Sequence, residues 1–347
     1  MSNDEVLFEH KGRAGIITLN RPEALNALTL NMVRMIHPQL RAWAEDDGVH
    51  HVIIQASGDK AFCAGGDIRA LYDWGRAGDD LFLAFYHEEY QLNTYIKRYP
   101  KPYIALMSGI TMGGGVGVSV HGSHRVATEG LTFAMPETGI GLFPDVGGTY
   151  FLPRCPGEIG MYLALTGSRM KVADALYARI ATHHVPTDRL ADLKDALLEA
   201  HDPTAVIVSF AVDPGRPALL EHRETLDRCF SAGSVEEVLS CLDAEESDWA
   251  AKLAGGIRSK SPTSTKLAFR QIREGAKLDF EECMRTEFRM VSRIFKAPDF
   301  FEGIRAVVID KDQAPQWQPA SLAEVTSELV EAYFSPLDKE LTFQEAG

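Results

Sequence analysis

The chain has 347 residues, 45% of them hydrophobic, 24% charged and 9% aromatic, which supplies a conventional globular core and excludes a disordered or fibrous protein. With 49 acidic against 35 basic residues the formal net charge is −14, a field that repels nucleic-acid phosphates and anionic lipid, so broad polyanion binding is excluded. The length fits about two units, or one α/β domain with an added lobe.

The N-terminal stretch MSNDEVLFEHKGRAGIITL has acids at Asp4 and Glu5 and no apolar run before a first strand expected near Ala14, so no secretion signal is expected. Cys63, Cys155, Cys229, Cys241 and Cys283 are scattered, without CxxC or histidines at metal spacing. They are expected to be reduced thiols in a cytoplasmic protein. No apolar run approaches the roughly eighteen residues needed to cross a bilayer, so no membrane role is expected.

Runs rich in β-branched residues over 15–19, 51–55 and 103–106 alternate with helical patterns over 28–45 and 81–97. Alternation at this spacing predicts βαβ units, a mostly parallel sheet, and ligands near the carboxyl ends of strands. From about Pro186 the pattern becomes helical, with amphipathic segments over 188–200, 234–242, 263–275, 280–295 and 321–334. Ser234 with Glu237, and Ser321 with Glu324, fit the S-x-x-E capping box. The expected organisation is an α/β core over 1–185 carrying the site, a helical insertion over 186–250 and a C-terminal helical region over 251–347.

Two glycine-rich turns stand between a candidate strand and a candidate helix: AFCAGGDIR over 61–69 and SGITMGGGVG over 108–117. Free N–H groups at such turns suit an anion. Neither matches GxGxxG with a later ribose acid, nor GxxxxGK[ST], which disfavours nucleotide phosphate and leaves an oxyanion as the alternative. Tight turning and close helix packing explain the glycines equally well. A third segment, FAMPETGIGLFPDVGG over 133–148, sets Glu137 and Asp145, each after a proline, in apolar surroundings without a neighbouring cation in sequence. Burial there raises carboxyl pKa values and suits acid/base work, although Asp145 also fits a helix cap.

These segments, together with NRPEALNAL over 20–28, AFCAGGDIRAL, GITMGGGVGVSVHG, SPTSTKLAFRQ and GIRAVVIDKDQAPQW, resemble the enoyl-CoA hydratase/isomerase (crotonase) superfamily, and within it the 3-hydroxyisobutyryl-CoA hydrolase branch. The resemblance implies an α/β fold built as a crotonase-like spiral of ββα units followed by a helical C-terminal region. It puts an oxyanion hole on the N–H groups of Gly66 and Gly114 and the catalytic carboxylate on Glu137. It makes Asp145 a second acid, Glu89 a substrate contact, and Ala64 and Ile68 backbone neighbours of coenzyme A. Hydratases of the fold carry a glutamate where this chain has Gly117, so the expected reaction is hydrolysis of a short β-hydroxyacyl-CoA, most of all 3-hydroxyisobutyryl-CoA, as in valine breakdown. The rivals are an enoyl-CoA hydratase or isomerase and a non-catalytic acyl-CoA-binding protein. The resemblance implies no metal or redox cofactor, coenzyme A being part of the substrate. A homo-oligomer is compatible with it. Arg21 and Lys60 are candidate phosphate contacts, weighed against ordinary surface charges, and Gly115→Ala, one step further into the helix, is expected to lose less activity than Gly114→Ala.

Overall fold

In a computed structural model, which describes residues 4–343, the β-branched runs become nine strands: β1 (Val6–Lys11), β2 (Ala14–Leu19), β3 (His51–Ala56), β4 (Ala61–Cys63), β5 (Tyr103–Met107), β6 (Ile110–Met112), β7 (His124–Ala127), β8 (Thr132–Ala134) and β9 (His183–His184). They divide between a six-stranded sheet in the order β1-β2-β3-β5-β7-β9 and a three-stranded sheet β4-β6-β8. Apart from the antiparallel β1–β2 hairpin, the pairings are parallel. The chain gives one strand to the large sheet and the next to the small one, three times over (β3 with β4, β5 with β6, β7 with β8), which is the expected spiral.

Period-two alternation explains the layers, because successive side chains of a strand leave opposite faces of the sheet. Ile17, Leu19, Val52, Ile54, Tyr103, Ala105 and Met107 enter the main core shared with helices Leu30–Glu45 and Leu81–Lys97. Ile16, Ile53, Ile104, Leu106 and Val126 face the other way and form a second core with Leu193, Leu197 and Ile207. Helices Leu190–Leu198 and Pro203–Phe210 therefore cover the sheet's second face.

Several expectations need correction. The first strand is β1, not the segment near Ala14; its outer residues are half-buried or exposed, so VLFEHK lacks the apolar run of an inner strand. Ser234 caps helix Val235–Asp243 by accepting from the Glu237 N–H, but the Glu237 carboxylate takes the Gly233 N–H. Ser321 caps no helix: its hydroxyl bonds the Glu324 carboxylate over a single turn Leu322–Glu324, and helix Ser327–Phe334 is capped by Thr326. Cys229 and Cys241 are joined in a disulfide, since adjacent helices Arg223–Phe230 and Val235–Asp243 bring their Cα atoms to 5.2 Å; Cys63, Cys155 and Cys283 are free and buried.

Ile104 is fully buried on the face turned away from the small sheet. Ile104→Ala is expected to cost about 2–4 kcal/mol in a urea unfolding titration, as for a buried aliphatic truncated in a close-packed core. The folded fraction should keep its substrate KM, and a loss under ~1 kcal/mol would contradict this packing.

Candidate active site

The small sheet assembles the site. Its strands are parallel, Ala61 opposite Ile110, Cys63 opposite Thr111 after a bulge, and Thr111 opposite Phe133, so the loops leaving their carboxyl ends emerge side by side. After β4 comes Gly65 with Gly66, after β6 Gly113 with Gly114, and after β8 Pro136 with Glu137. Gly65 (φ +125°) and Gly113 (φ +46°) occupy backbone conformations that L side chains rarely adopt, so each turn needs its glycine. Asp67 caps helix Ile68–Ala77 by accepting from the Ala70 N–H and also pairs with Arg21 at 3.1 Å, which fixes the first turn. Gly114 opens the short helix Gly114–Gly117, so its N–H has no acceptor within that helix. A β-carbon at Gly114 would stand 3.3 Å from the Gly66 nitrogen and 2.8 Å from Glu89 Oε1, and one at Gly113 would stand 3.4 Å from Glu137 Oε1. The two amide turns and the two carboxyls are thus immediate neighbours.

One cavity of about 530 Å³ is lined by Ala64, Gly66, Ile68, Glu89, Gly114, Glu137 and Asp145, the seven residues to which the resemblance gives a role in catalysis or substrate binding. Arg21 and Lys60 lie outside this lining; Arg21 is held by Glu5 and Asp67. Arg169 and Lys260 line the cavity instead. The far wall comes from the C-terminal segment, where Arg305 binds the carboxylates of Glu302, Asp310 and Asp312 and so folds Gln313 and Pro315 against the opening.

Burial governs the electrostatics. Glu89 and Glu137 are nearly inaccessible, and both carboxyls are held well above the ordinary range, first by desolvation and then by the charge of Asp145. Lys260 opposes this at Glu137. Asp145 is pushed up to about 7 by burial, against the hydrogen bond that the Tyr90 hydroxyl donates to its Oδ2 at 3.1 Å. A fourth acid, Glu287, is pushed up to about 8 by burial and by Asp145, while the N–H groups of Gly147 and Thr149 stabilise its ionised form. Among the described residues, Glu89 Oε1 and Glu137 Oε2 are buried and have no hydrogen-bond partner. Buried acceptors left open beside a cavity are ready for a ligand's donors.

Sequence reasoning missed Tyr90, Lys260 and Glu287. Tyr90 lies on a helix covered on most sides, where a tyrosine reads as core. Lys260 and Glu287 reach the site from helical regions far along the chain, where a lone charge in an amphipathic pattern reads as solvated surface.

A spiral of ββα units whose glycine turns and buried carboxyls line one cavity defines the crotonase fold class. The chain belongs to the enoyl-CoA hydratase/isomerase family, whose model matches residues 14–334. It is 51% identical to the mitochondrial 3-hydroxyisobutyryl-CoA hydrolase of Danio rerio, over 97% of this chain and 91% of that one. With the human protein of the same name it shares 48% identity, over 96% of this chain and 89% of that one. Among solved structures it resembles a carnitinyl-CoA dehydratase from Mycobacterium thermoresistibile (41% identity, TM-score 0.95, 99% and 100% of the two chains). It also resembles an enoyl-CoA hydratase from Rhodobacter sphaeroides (40% identity, TM-score 0.92, 98% and 100%). The mitochondrial naming of the curated relatives overturns the cytoplasmic expectation. The cysteine pattern reports on redox chemistry and does not say which compartment holds the protein.

Gly115 is more tightly enclosed by backbone than Gly114. A β-carbon there would meet the Cys63 carbonyl oxygen at 2.4 Å, backbone that cannot turn aside, whereas at Gly114 the 2.8 Å neighbour is a side-chain oxygen. Gly115→Ala is therefore expected to destabilise more than Gly114→Ala. For Gly114→Ala we expect kcat/KM to fall about 10²-fold with at most ~1–2 kcal/mol lost, because the methyl enters the space an oxyanion would occupy. Gly256→Ala, with nothing within 4 Å of the added carbon, is the control. Unchanged kcat/KM in folded Gly114→Ala would return this turn to a packing role.

Proposed function

We propose that the protein hydrolyses a short β-hydroxyacyl-CoA thioester, 3-hydroxyisobutyryl-CoA in the first place, giving the free hydroxy acid and coenzyme A, as a step of valine breakdown. The observation that carries the reading is the convergence of two glycine amide turns with Glu137 on one cavity at the carboxyl end of the small sheet. The curated relatives named as hydrolases at 48–51% identity support it.

In this reading the thioester oxygen lies between the N–H groups of Gly66 and Gly114, which oppose the negative charge growing on it as the carbonyl carbon turns tetrahedral. Glu137 supplies the electron pair, either by attacking the carbon to form a mixed anhydride or by taking a proton from an attacking water. The C–S bond breaks as the tetrahedral intermediate collapses, and Asp145, pushed up to about 7 by burial and so partly protonated near neutral pH, gives its proton to the departing sulfur. Water supplies the second oxygen of the acid. Glu89 Oε1, otherwise unpaired, accepts from the 3-hydroxyl; an acyl group without a hydroxyl leaves that buried oxygen unsatisfied, which disfavours it. Ala64 and Ile68 flank the coenzyme, and Arg169 and Lys260 at the cavity offer positive charge to its phosphates. The division into a core over 1–185, an added helical part over 186–250 and a helical region over 251–347 belongs to the same proposal.

Gly117 argues against the reaction in the names of the two solved structures. A β-carbon there would stand 2.8 Å from Asn93 Nδ2 and 2.9 Å from Val146 Cβ, so the space a second water-activating glutamate needs is filled.

The test compares thiol release from 3-hydroxyisobutyryl-CoA with loss of enoyl absorbance from crotonyl-CoA. We expect kcat/KM for the first to exceed the second by at least ~10²-fold, since the chain lacks the partner carboxylate that orients water for conjugate addition. Comparable values would replace hydrolysis by hydration. Glu137→Gln should lower thiol release at least ~10²-fold while coenzyme A still binds. A raised Glu137 pKa means that the base is lost to protonation as pH falls through a value well above the usual ~4.3, so the acid limb of kcat/KM should lie above that. An acid limb near 4 would deny the buried carboxyl its role.

A further inference from the structure

The turn that carries Asp145 is held in a conformation its own sequence resists. Val146 has φ +50°, a left-handed value rare for a β-branched residue, and Gly147 follows at +88°. Such backbone persists only where its surroundings over-determine it. Three side chains from outside the turn do so. His121, kept neutral because burial pushes its pKa down to about 3, donates from Nε2 to the Val146 carbonyl at 2.7 Å. Gln271 donates to the Pro144 carbonyl and to the Thr149 hydroxyl. Glu287, fully buried on helix Phe280–Ile294, accepts the Gly147 N–H on Oε2 and the Thr149 N–H on Oε1, each at 2.9 Å. Glu89 and Glu137 each keep an open oxygen, whereas both oxygens of Glu287 are engaged by backbone.

We infer that Glu287 is a positioning residue of the reaction: its two-point grip on Gly147 and Thr149 sets the turn from which Asp145 enters the cavity. The inference rests on the thioester-hydrolase reading above, because only there does Asp145 have a proton to deliver. Glu287 also belongs to the electrostatics of the site, since its charge raises Glu89 and Glu137 and it interacts with Asp145. Facing the same turn from helix Leu81–Lys97 are Tyr86, Glu89 and Tyr90. His121 and Glu137 face it from the spiral, Lys260 acts through Glu137, and Cys283 is the titratable neighbour on the helix of Glu287. Removing the Glu287 charge makes Glu89 and Glu137 easier to ionise, so each loses its proton at lower pH.

The experiment measures kcat, KM and their pH profiles for thiol release from 3-hydroxyisobutyryl-CoA by the full chain, as wild type, Glu287→Gln and Glu287→Asp. Glu287→Gln keeps the shape, loses the charge and puts an NH₂ against one backbone N–H. We expect its kcat to fall at least ~10-fold with KM within about 3-fold, and the acid limb of its pH profile, set by Glu137, to move about half a pH unit or more toward lower pH. Glu287→Asp keeps the charge on a shorter stem; its profile should stay near that of wild type while kcat is only partly restored. The inference is overturned if folded Glu287→Gln keeps kcat within about 2-fold, or if activity falls only with the folded fraction while the pH profile stays in place. Should Glu287→Gln not fold, Glu287→Asp decides: wild-type kcat per folded molecule in that variant overturns the inference, and a kcat loss per folded molecule at unchanged KM and pH profile supports it. A wild-type protein that releases no thiol overturns the hydrolase reading and this inference together, whereas an active wild type with an indifferent Glu287 overturns the inference alone.

Discussion

Charge repulsion in a volume shut off from water is the constraint around which the site is arranged. Glu89, Glu137, Asp145 and Glu287 are each 5% exposed or less, and burial leads the causes that push each of their carboxyls upward. Ionising any one makes ionising the next harder, so the set titrates as a group and holds protons at a pH where surface carboxyls hold none. A site of this kind keeps an acid and a base side by side at neutral pH, which thioester cleavage requires. Lys260 favours charge on Glu137, and the Tyr90 hydroxyl favours it on Asp145, so the members of the set are not equivalent.

The carboxyls meet because three short strands pair in parallel. Parallel pairing makes every loop at one edge of the small sheet leave in the same direction, and the spiral delivers a glycine turn, a second glycine turn and Glu137 to that edge in succession. The long helices then close the chamber. Helix Leu81–Lys97 brings Glu89 and Tyr90 down from above the turns, and helix Phe280–Ile294 brings Glu287 from the opposite end of the chain. The helical part after Pro186 has a separate use: its first two helices seal the second face of the large sheet, which an α/β sheet of this kind needs in order to be buried on both sides.

Much of this was legible from local pattern. Loops after strands, paired glycines before a helix, and prolines ahead of Glu137 and Asp145 are short-range signals, and the structure gathers all of them on one cavity. Glu89 was legible only through resemblance, because a helix covered on most sides shows no polar face on which a functional acid stands out. Glu287 was not legible: in FEECMRTEFRMVSRIF it sits among other charges at helical spacing, and only the fold reveals that it points inward. The crowding at Gly115 was not legible for a similar reason, since its neighbour, the Cys63 backbone, belongs to a different turn. The hairpin strand β1 escaped notice because an edge strand needs little apolar surface, and the Cys229 and Cys241 pairing because spacing alone does not say which helices lie together.

The most direct measurement of the central claim is a carbon-13 NMR titration of the folded protein with labelled Asp and Glu carboxyls, assigned by single Glu→Gln and Asp→Asn changes at Glu89, Glu137, Asp145 and Glu287. The account predicts that signals assigned to this set titrate together, with Asp145 midway near pH 7 and Glu89 and Glu137 still carrying protons well above the usual ~4.3. Four independent titrations near pH 4 would contradict it, because an acid and a base would then no longer coexist in the cavity at neutral pH.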